Sequence, residues 1–201
     1  MSQYGAAYLQ WAPFTKDSTE PEDALPIYGD PINLGALKKV TDAPTFSEVT
    51  AEGDNITQDS VAEFTGGTVD AEVTEVENDV AAAIYGTAAI GEDGDLVFAD
   101  SDEPPYGGLA FYVNKVKGTR KFYQGVYYPK VKATPQGTEY TTQAKSGVTL
   151  TGGKIRFSWE RPKFGKYLYK SKPFDTVAEA KAWVDAKIKK HEDGGVPDEN
   201  G

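Results

Sequence analysis

The chain has 201 residues, 39% of them hydrophobic and 12% aromatic, enough to fill the core of one generous domain. It has no cysteine, which removes disulfide scaffolds, thiolate metal sites and cysteine nucleophiles. The formal net charge of −10 is sorted along the sequence: residues 1–105 hold three basic and 22 acidic side chains, residues 106–201 hold 18 basic and nine acidic, and neither Lys nor Arg occurs between Lys39 and Lys115. Both halves carry regular apolar patterning, so neither reads as a charged disordered tail. The halves either fold onto each other within one domain or meet between subunits. Without 18 consecutive apolar residues or a basic, then apolar start at Met1–Pro13, the expectation is a soluble protein made in the cytoplasm, with no membrane partner.

Taken in order, Tyr4–Phe14 is apolar enough for a strand ending at Pro13, within an amino-terminal arm over residues 1–23. Ile27–Val40 offers strand pieces broken by Gly29, Pro31 and Gly35. Thr45–Ala51, a turn at Glu52–Asn55 and Ile56–Phe64 form a long, largely polar antiparallel hairpin, marginal in water unless neighbouring strands flank it. After Gly66-Gly67, Val69, Ala71 and Val73 alternate with Asp70, Glu72 and Thr74, giving one core face and one acidic face. A short helix is predicted at Asp79–Tyr85, with Asn78 as cap and Gly86 as a left-handed stop. Residues 91–108 read as an exposed acidic loop.

The basic half opens with a hairpin, Leu109–Lys117 and Arg120–Tyr128 around Gly118-Thr119. A second pairing is expected from Val148–Leu150, Lys154–Glu160 and, after a turn at Arg161–Gly165, Lys166–Lys170, with a basic outer face. Thr176 and Glu179 have capping-box spacing ahead of an apolar stripe of Val177, Ala180, Trp183, Val184 and Ile188, with Lys187, Lys189 and Lys190 near the negative end of the helix. One domain over residues 1–190 and a disordered tail at 191–201 follow.

Catalytic chemistry is sparse. The single histidine, His191, adjoins the tail and reads as a solvated surface residue. Gly91–Asp95 only faintly echoes a calcium loop, and no glycine pair precedes the lysine and helix of a phosphate loop. No cofactor, metal or catalytic residue is expected. Lys and Arg interleave with aromatics in Lys115–Lys132 and Lys154–Lys172, as in a nucleic-acid stacking platform. Strand alternation, with aromatics inward and lysines outward, accounts for the same pattern, and a net charge of −10 opposes polyanion binding.

In order and spacing these segments resemble the major tail tube proteins of long-tailed (siphovirus-type) bacteriophages. The residues that carry the likeness are Ala62–Val69 (AEFTGGTV) with the alternating strand after it, the short helix ending at Tyr85-Gly86, the acidic loop, Pro105–Phe111 (PYGGLAF) and the Tyr-rich Phe122–Tyr128. The resemblance implies a mainly β fold with minor α, an antiparallel β-sandwich or split barrel with a flanking C-terminal helix, a short second helix and a long protruding hairpin. It also implies six-membered rings that stack into a hollow tube, the conduit for genome ejection. Partners would be further copies of the chain, other tail proteins at the tube ends and a tape measure protein, with DNA passing without specific binding. The location would be the virion tail, after assembly in the bacterial cytoplasm.

Carboxylates would line the lumen so that DNA slides. Glu48, Glu52, Asp54, Asp59 and Glu63 are the candidates for that lining. Glu92, Asp93, Asp95, Asp100, Asp102 and Glu103 are candidates for contacts between rings, and the basic half is the candidate surface through which like subunits meet head to tail. The alternative is a carbohydrate- or receptor-binding β-sandwich of a virion, stacking sugars on Trp11, Tyr106 or Trp159. An enzyme with a carboxylate pair is a third reading.

Overall fold

Residues 107–113 (GGLAFYV) are buried without interruption, as a strand covered on both faces requires. The structure is a computed structural model that describes residues 1–17, 26–53, 56–87, 95–136, 152–162 and 165–189, with backbone alone at 49–53 and 56–61. Its strands are β1 (Ser2–Lys16), β2 (Ile27–Tyr28), β3 (Ile32–Asn33), β4 (Leu37–Gly53), β5 (Ile56–Val73), β6 (Tyr106–Lys117), β7 (Arg120–Thr134), β8 (Gly153–Trp159) and β9 (Tyr169–Lys170). The helices are α1 (Asn78–Tyr85) and α2 (Val177–Ile188). The fold is mainly β with minor α, as expected. All strands join one antiparallel sheet in the order β2-β1-β6-β7-β8-β5-β4, with β3 beside β1 and β9 beside β7. The last strand, β4, comes back alongside β1 without pairing to it, so the sheet is rolled into an open barrel.

Strand alternation divides the central strands between two cores. Leu109, Phe111 and Val113 of β6 point into the barrel with Leu9, Trp11, Val69, Tyr128, Phe157, Trp159 and, from α1, Val80 and Ile84. Ala110 and Tyr112 point outward, where α2 covers them with Ala180, Val184 and Ile188. Each large side chain buried this way contributes roughly 1.5–3 kcal/mol. Trp183 lies over Gly125 of β7, where a Cβ would collide with the indole ring. The capping box is present: Glu179 N donates to Thr176 Oγ1 at 3.3 Å, and Thr176 N donates to Glu179 Oε2 at 3.1 Å.

The hairpin β6–β7 turns at Gly118, whose φ is 62°. Pro129, which has no N–H to give, sits where the β6–β7 register shifts, between the Gly107–Val131 and Leu109–Tyr128 pairs. A bulge in β1 places Tyr8 at φ 61°, uncommon for a residue with a side chain, and its hydroxyl donates to Asp185 of α2 at 2.9 Å.

Several expectations need correction. The first strand runs through Pro13 to Lys16, because Pro13 leaves its carbonyl free for Gly29 N at 2.8 Å. Residues 56–64 and 69–73 are one strand, β5, bent at a bulge rather than broken by Gly66-Gly67. The cap of α1 is Glu77, and no side chain bonds its first amides from that position; Gly86 does stop the helix at φ 69°. β8 and β9 do not form a hairpin: both edges of β8 are taken by β5 and β7, so β9 pairs with β7 instead. The predicted strand at Val148–Leu150, Lys190, His191 and the tail lie outside the described residues.

Candidate functional site

A long ribbon made by β4 and β5 extends from the fold. The two strands pair from Leu37–Val73 to Gly53–Ile56, but β8 flanks β5 only from Gly67 to Val73. Beyond that point the ribbon has no further strand on either side among the described residues. Residues 46–53 run past the supported sheet, about 25 Å at roughly 3.3 Å per residue. Every residue from Thr41 to Glu48 is exposed. A two-stranded ribbon with two open edges is marginally stable by itself and is a template for pairing with another chain.

The root of the ribbon is built from aromatics and a bulge. Thr45 pairs with Gly66 and Phe46 with Phe64, leaving Thr65 as the extra residue, its hydroxyl donating to the Thr45 carbonyl at 3.1 Å. Gly66 takes φ 148°, a conformation that favours glycine. Gly67 lies so close to the Trp159 indole and the Ala43 carbonyl that a Cβ would clash. Phe64 stacks on Tyr167 with centroids 3.9 Å apart, and both rings pack on Trp159, at 5.1 and 5.3 Å. Phe46 meets Phe64 edge-on at 5.8 Å and is 51% exposed. The aromatic column thus anchors the ribbon to the barrel wall. Nothing in the alternation of β5 pointed to Tyr167 as its partner, because segment 165–170 reaches Phe64 only through its pairing with β7.

The five carboxylates expected on one lining do not share a face. Glu48 pairs with Ala62 and Glu63 with Ser47, adjacent rows whose side chains point to opposite sides. Glu63 also pairs with Arg161 at 3.6 Å. Glu52 and Asp59 are placed by backbone register alone, opposite Thr57 and Ala51, and Asp54 lies outside the described residues. Glu48 and Glu63 therefore face opposite sides of the ribbon.

The acidic loop is partly tied to its own chain. Asp102 accepts from Ala99 N at 2.8 Å, Glu103 pairs with Lys132 at 3.3 Å, and Phe98 packs on Tyr85 of α1. Asp95 and Asp100 are exposed, while Glu92, Asp93 and most of the faint calcium echo lie outside the described residues.

The two oppositely charged halves meet within the chain. Asp70 of β5 pairs with Arg156 of β8, Asp17 with Lys130 of β7, Glu103 with Lys132 and Glu63 with Arg161. The internal alternative is thus realised for these residues. The aromatic and basic alternation also separates as strand geometry requires, with Ile155, Phe157 and Trp159 buried and Arg156 half-exposed. Trp11 and Trp159 are 0% and 1% exposed, and the Lys130 and Lys132 ammonium groups lie over the Tyr106 ring at 4.3 and 5.2 Å. The surfaces proposed for sugar stacking are therefore either buried or covered.

No protein-family model matches the sequence, and a search of curated proteins finds no match. No helix among the described residues is long and apolar enough to cross a membrane.

Proposed function

We propose that the chain is a structural subunit of a bacteriophage tail tube. Six copies close into a ring through their β4–β5 ribbons, rings stack, and the genome leaves through the hollow centre. The observation that carries this reading is the ribbon itself: two long strands, both edges open beyond Gly67 among the described residues, fixed at the root by Phe64, Tyr167 and Trp159. Ribbons from neighbouring copies would supply each other's missing strands and end their exposure. The excess of carboxylates suits a conduit, because DNA carries about one charge per 1.7 Å and slides past an acidic wall where a basic wall would hold it. Such a protein acts in the virion tail, assembles in the bacterial cytoplasm and meets other tail proteins at the tube ends and a tape measure protein in the lumen. No catalytic step is assigned to it.

Electron microscopy of the purified protein over a range of concentrations tests the reading. Hexameric rings or tubes with a hollow centre are expected. A protein that stays monomeric at high concentration overturns it.

A further inference from the structure

Once the internal ion pairs are set aside, the described residues leave a basic turn at one end of the rolled sheet and, at the other, a group of exposed carboxylates that outnumbers the lysines there, Lys38, Lys39 and Lys154. At the β6–β7 turn, Lys117 lies opposite Arg120 and Lys121 opposite Val116. Lys117 and Lys121 are exposed and have no ion-pair partner among the described residues, whereas Arg120 is paired with Asp175 at 3.4 Å. The other end lies beyond the far terminus of β7, where Val73 pairs with Gly153 and the chain turns into α1. Glu75 and Glu77 occupy that turn and Asp100 the neighbouring loop, which packs on α1 through Phe98. These three are also exposed and without an ion-pair partner among the described residues. β7 spans the distance between the two ends, about 45 Å for its length if straight. Beside Asp100, Val97 and Phe98 are 60% and 56% exposed, giving the acidic end an apolar centre.

We infer that these two ends form a heterologous contact between copies of this chain: the basic β6–β7 turn of one subunit seats on the acidic α1 end of the next. The occupant is a second copy because the same chain carries both signs, so like ends repel and unlike ends attract. A head-to-tail contact closes into a ring only where its rotation brings it round; joining opposite ends of the sheet, this one propagates as a stack. The contact deepens the assembly reading above, on which it rests, by naming the surfaces through which rings would meet. Steering by such ends raises the association rate and falls with salt.

The test uses two full-length variants, one with Lys117→Glu and Lys121→Glu, the other with Glu75→Lys, Glu77→Lys and Asp100→Lys. All five sites are exposed, and circular dichroism checks that each variant is folded. Alone, each variant is expected to form rings that need at least about tenfold more protein to stack than wild type at low salt. Mixed in equal amounts they should stack again, because each reversed end then meets its complement. Stacking unchanged in either variant alone, or no recovery on mixing intact rings, overturns the contact while leaving the ring reading in place. End-to-end wild-type oligomers without rings, lost in each variant and restored on mixing, would support the contact and overturn the ring reading.

Discussion

Arg156 on β8 holds Asp70 on β5 through two hydrogen bonds, Nε to Oδ1 at 2.6 Å and Nη2 to Oδ2 at 3.1 Å, across 86 residues of sequence. The carboxylate raises the already high pKa of the guanidinium through that hydrogen bonding and its charge. Of the five ion pairs among the described residues, four join the acidic half of the chain to the basic half. Charge sorting along the sequence therefore acts first as strand registration, since a slip of β8 against β5 would oppose unlike faces. Reversal of either partner, Arg156→Asp or Asp70→Arg, is expected to lower the thermal midpoint, and the swapped pair should regain most of the loss at low salt. Strict additivity in that double-mutant cycle would deny the coupling.

The ribbon's root gives a second expectation. Replacing half-buried Phe64 with Ala should cost about 1–2 kcal/mol in urea unfolding, less than a fully buried ring, and Tyr167→Ala a similar amount. Tyr167→Phe keeps the stack and should stay near wild type. If the root aims the ribbon, both alanine variants lose ring formation under conditions where each is still folded; rings of normal yield would show that the column only stabilises.

Gly125 tests the docking of α2. Its Cβ would enter the Trp183 ring, so Gly125→Ala should cost about 1–3 kcal/mol, and adding Trp183→Ala should recover part of that loss. No recovery in the double variant would place the cost in the strand itself.

Alkaline pH should weaken the fold through its buried tyrosines. Burial pushes Tyr28, Tyr127 and Tyr128 well above the ordinary value of 10.0; the neighbouring Tyr127 hydroxyl adds to the shift of Tyr28, and nearby Asp42 to that of Tyr128. Tyr28 donates to the Pro129 carbonyl at 2.8 Å and shares a hydrogen bond with Tyr127. The folded state holds these protons more tightly than the unfolded chain, so the contribution is full below pH 10 and declines as pH rises beyond it. Phenolate absorbance of the native protein should show at least three of the twelve tyrosines ionising only on unfolding. Ionisation of all twelve near pH 10 in the folded state would contradict this.

Glu48 and Glu63 point to opposite faces of the ribbon, so their substitution by Lys should not be equivalent. If the chain forms a tail tube as proposed, one substitution is expected to slow DNA release from the assembled tails and the other to leave it near normal. Equal slowing by both would mean that neither face lines the conduit alone.

Much of the fold was legible because local rules agree with the tertiary outcome. Gly118-Thr119 between apolar strands marked the β6–β7 hairpin, Thr176 and Glu179 marked the start of α2, and Gly86 marked the end of α1. The β4–β5 ribbon was legible from its turn and its polar faces. The partner of β8 was not, because proximity in sequence favoured β9 while both edges of β8 are taken by strands from elsewhere in the chain. The facing of the candidate carboxylates was hidden by the register shift between the Glu52–Thr57 and Ala51–Asp59 pairs, which reverses the alternation set by the turn, and Tyr167 is brought to Phe64 by a strand pairing with no local signature.

The sheet order also sets a timetable for synthesis. β4 and β5 adjoin in the chain and can zip as soon as they emerge, but β1 must wait for β6, with Trp11 opposite Leu109, and β5 must wait for β8, with Val69 opposite Phe157. A nascent chain on the ribosome would thus display a paired ribbon long before there is a barrel to hold its root, and late, distant pairings of this kind make folding slow. The acidic residues of that early ribbon give it a charge that discourages premature sticking between nascent chains until β8 arrives to close the wall.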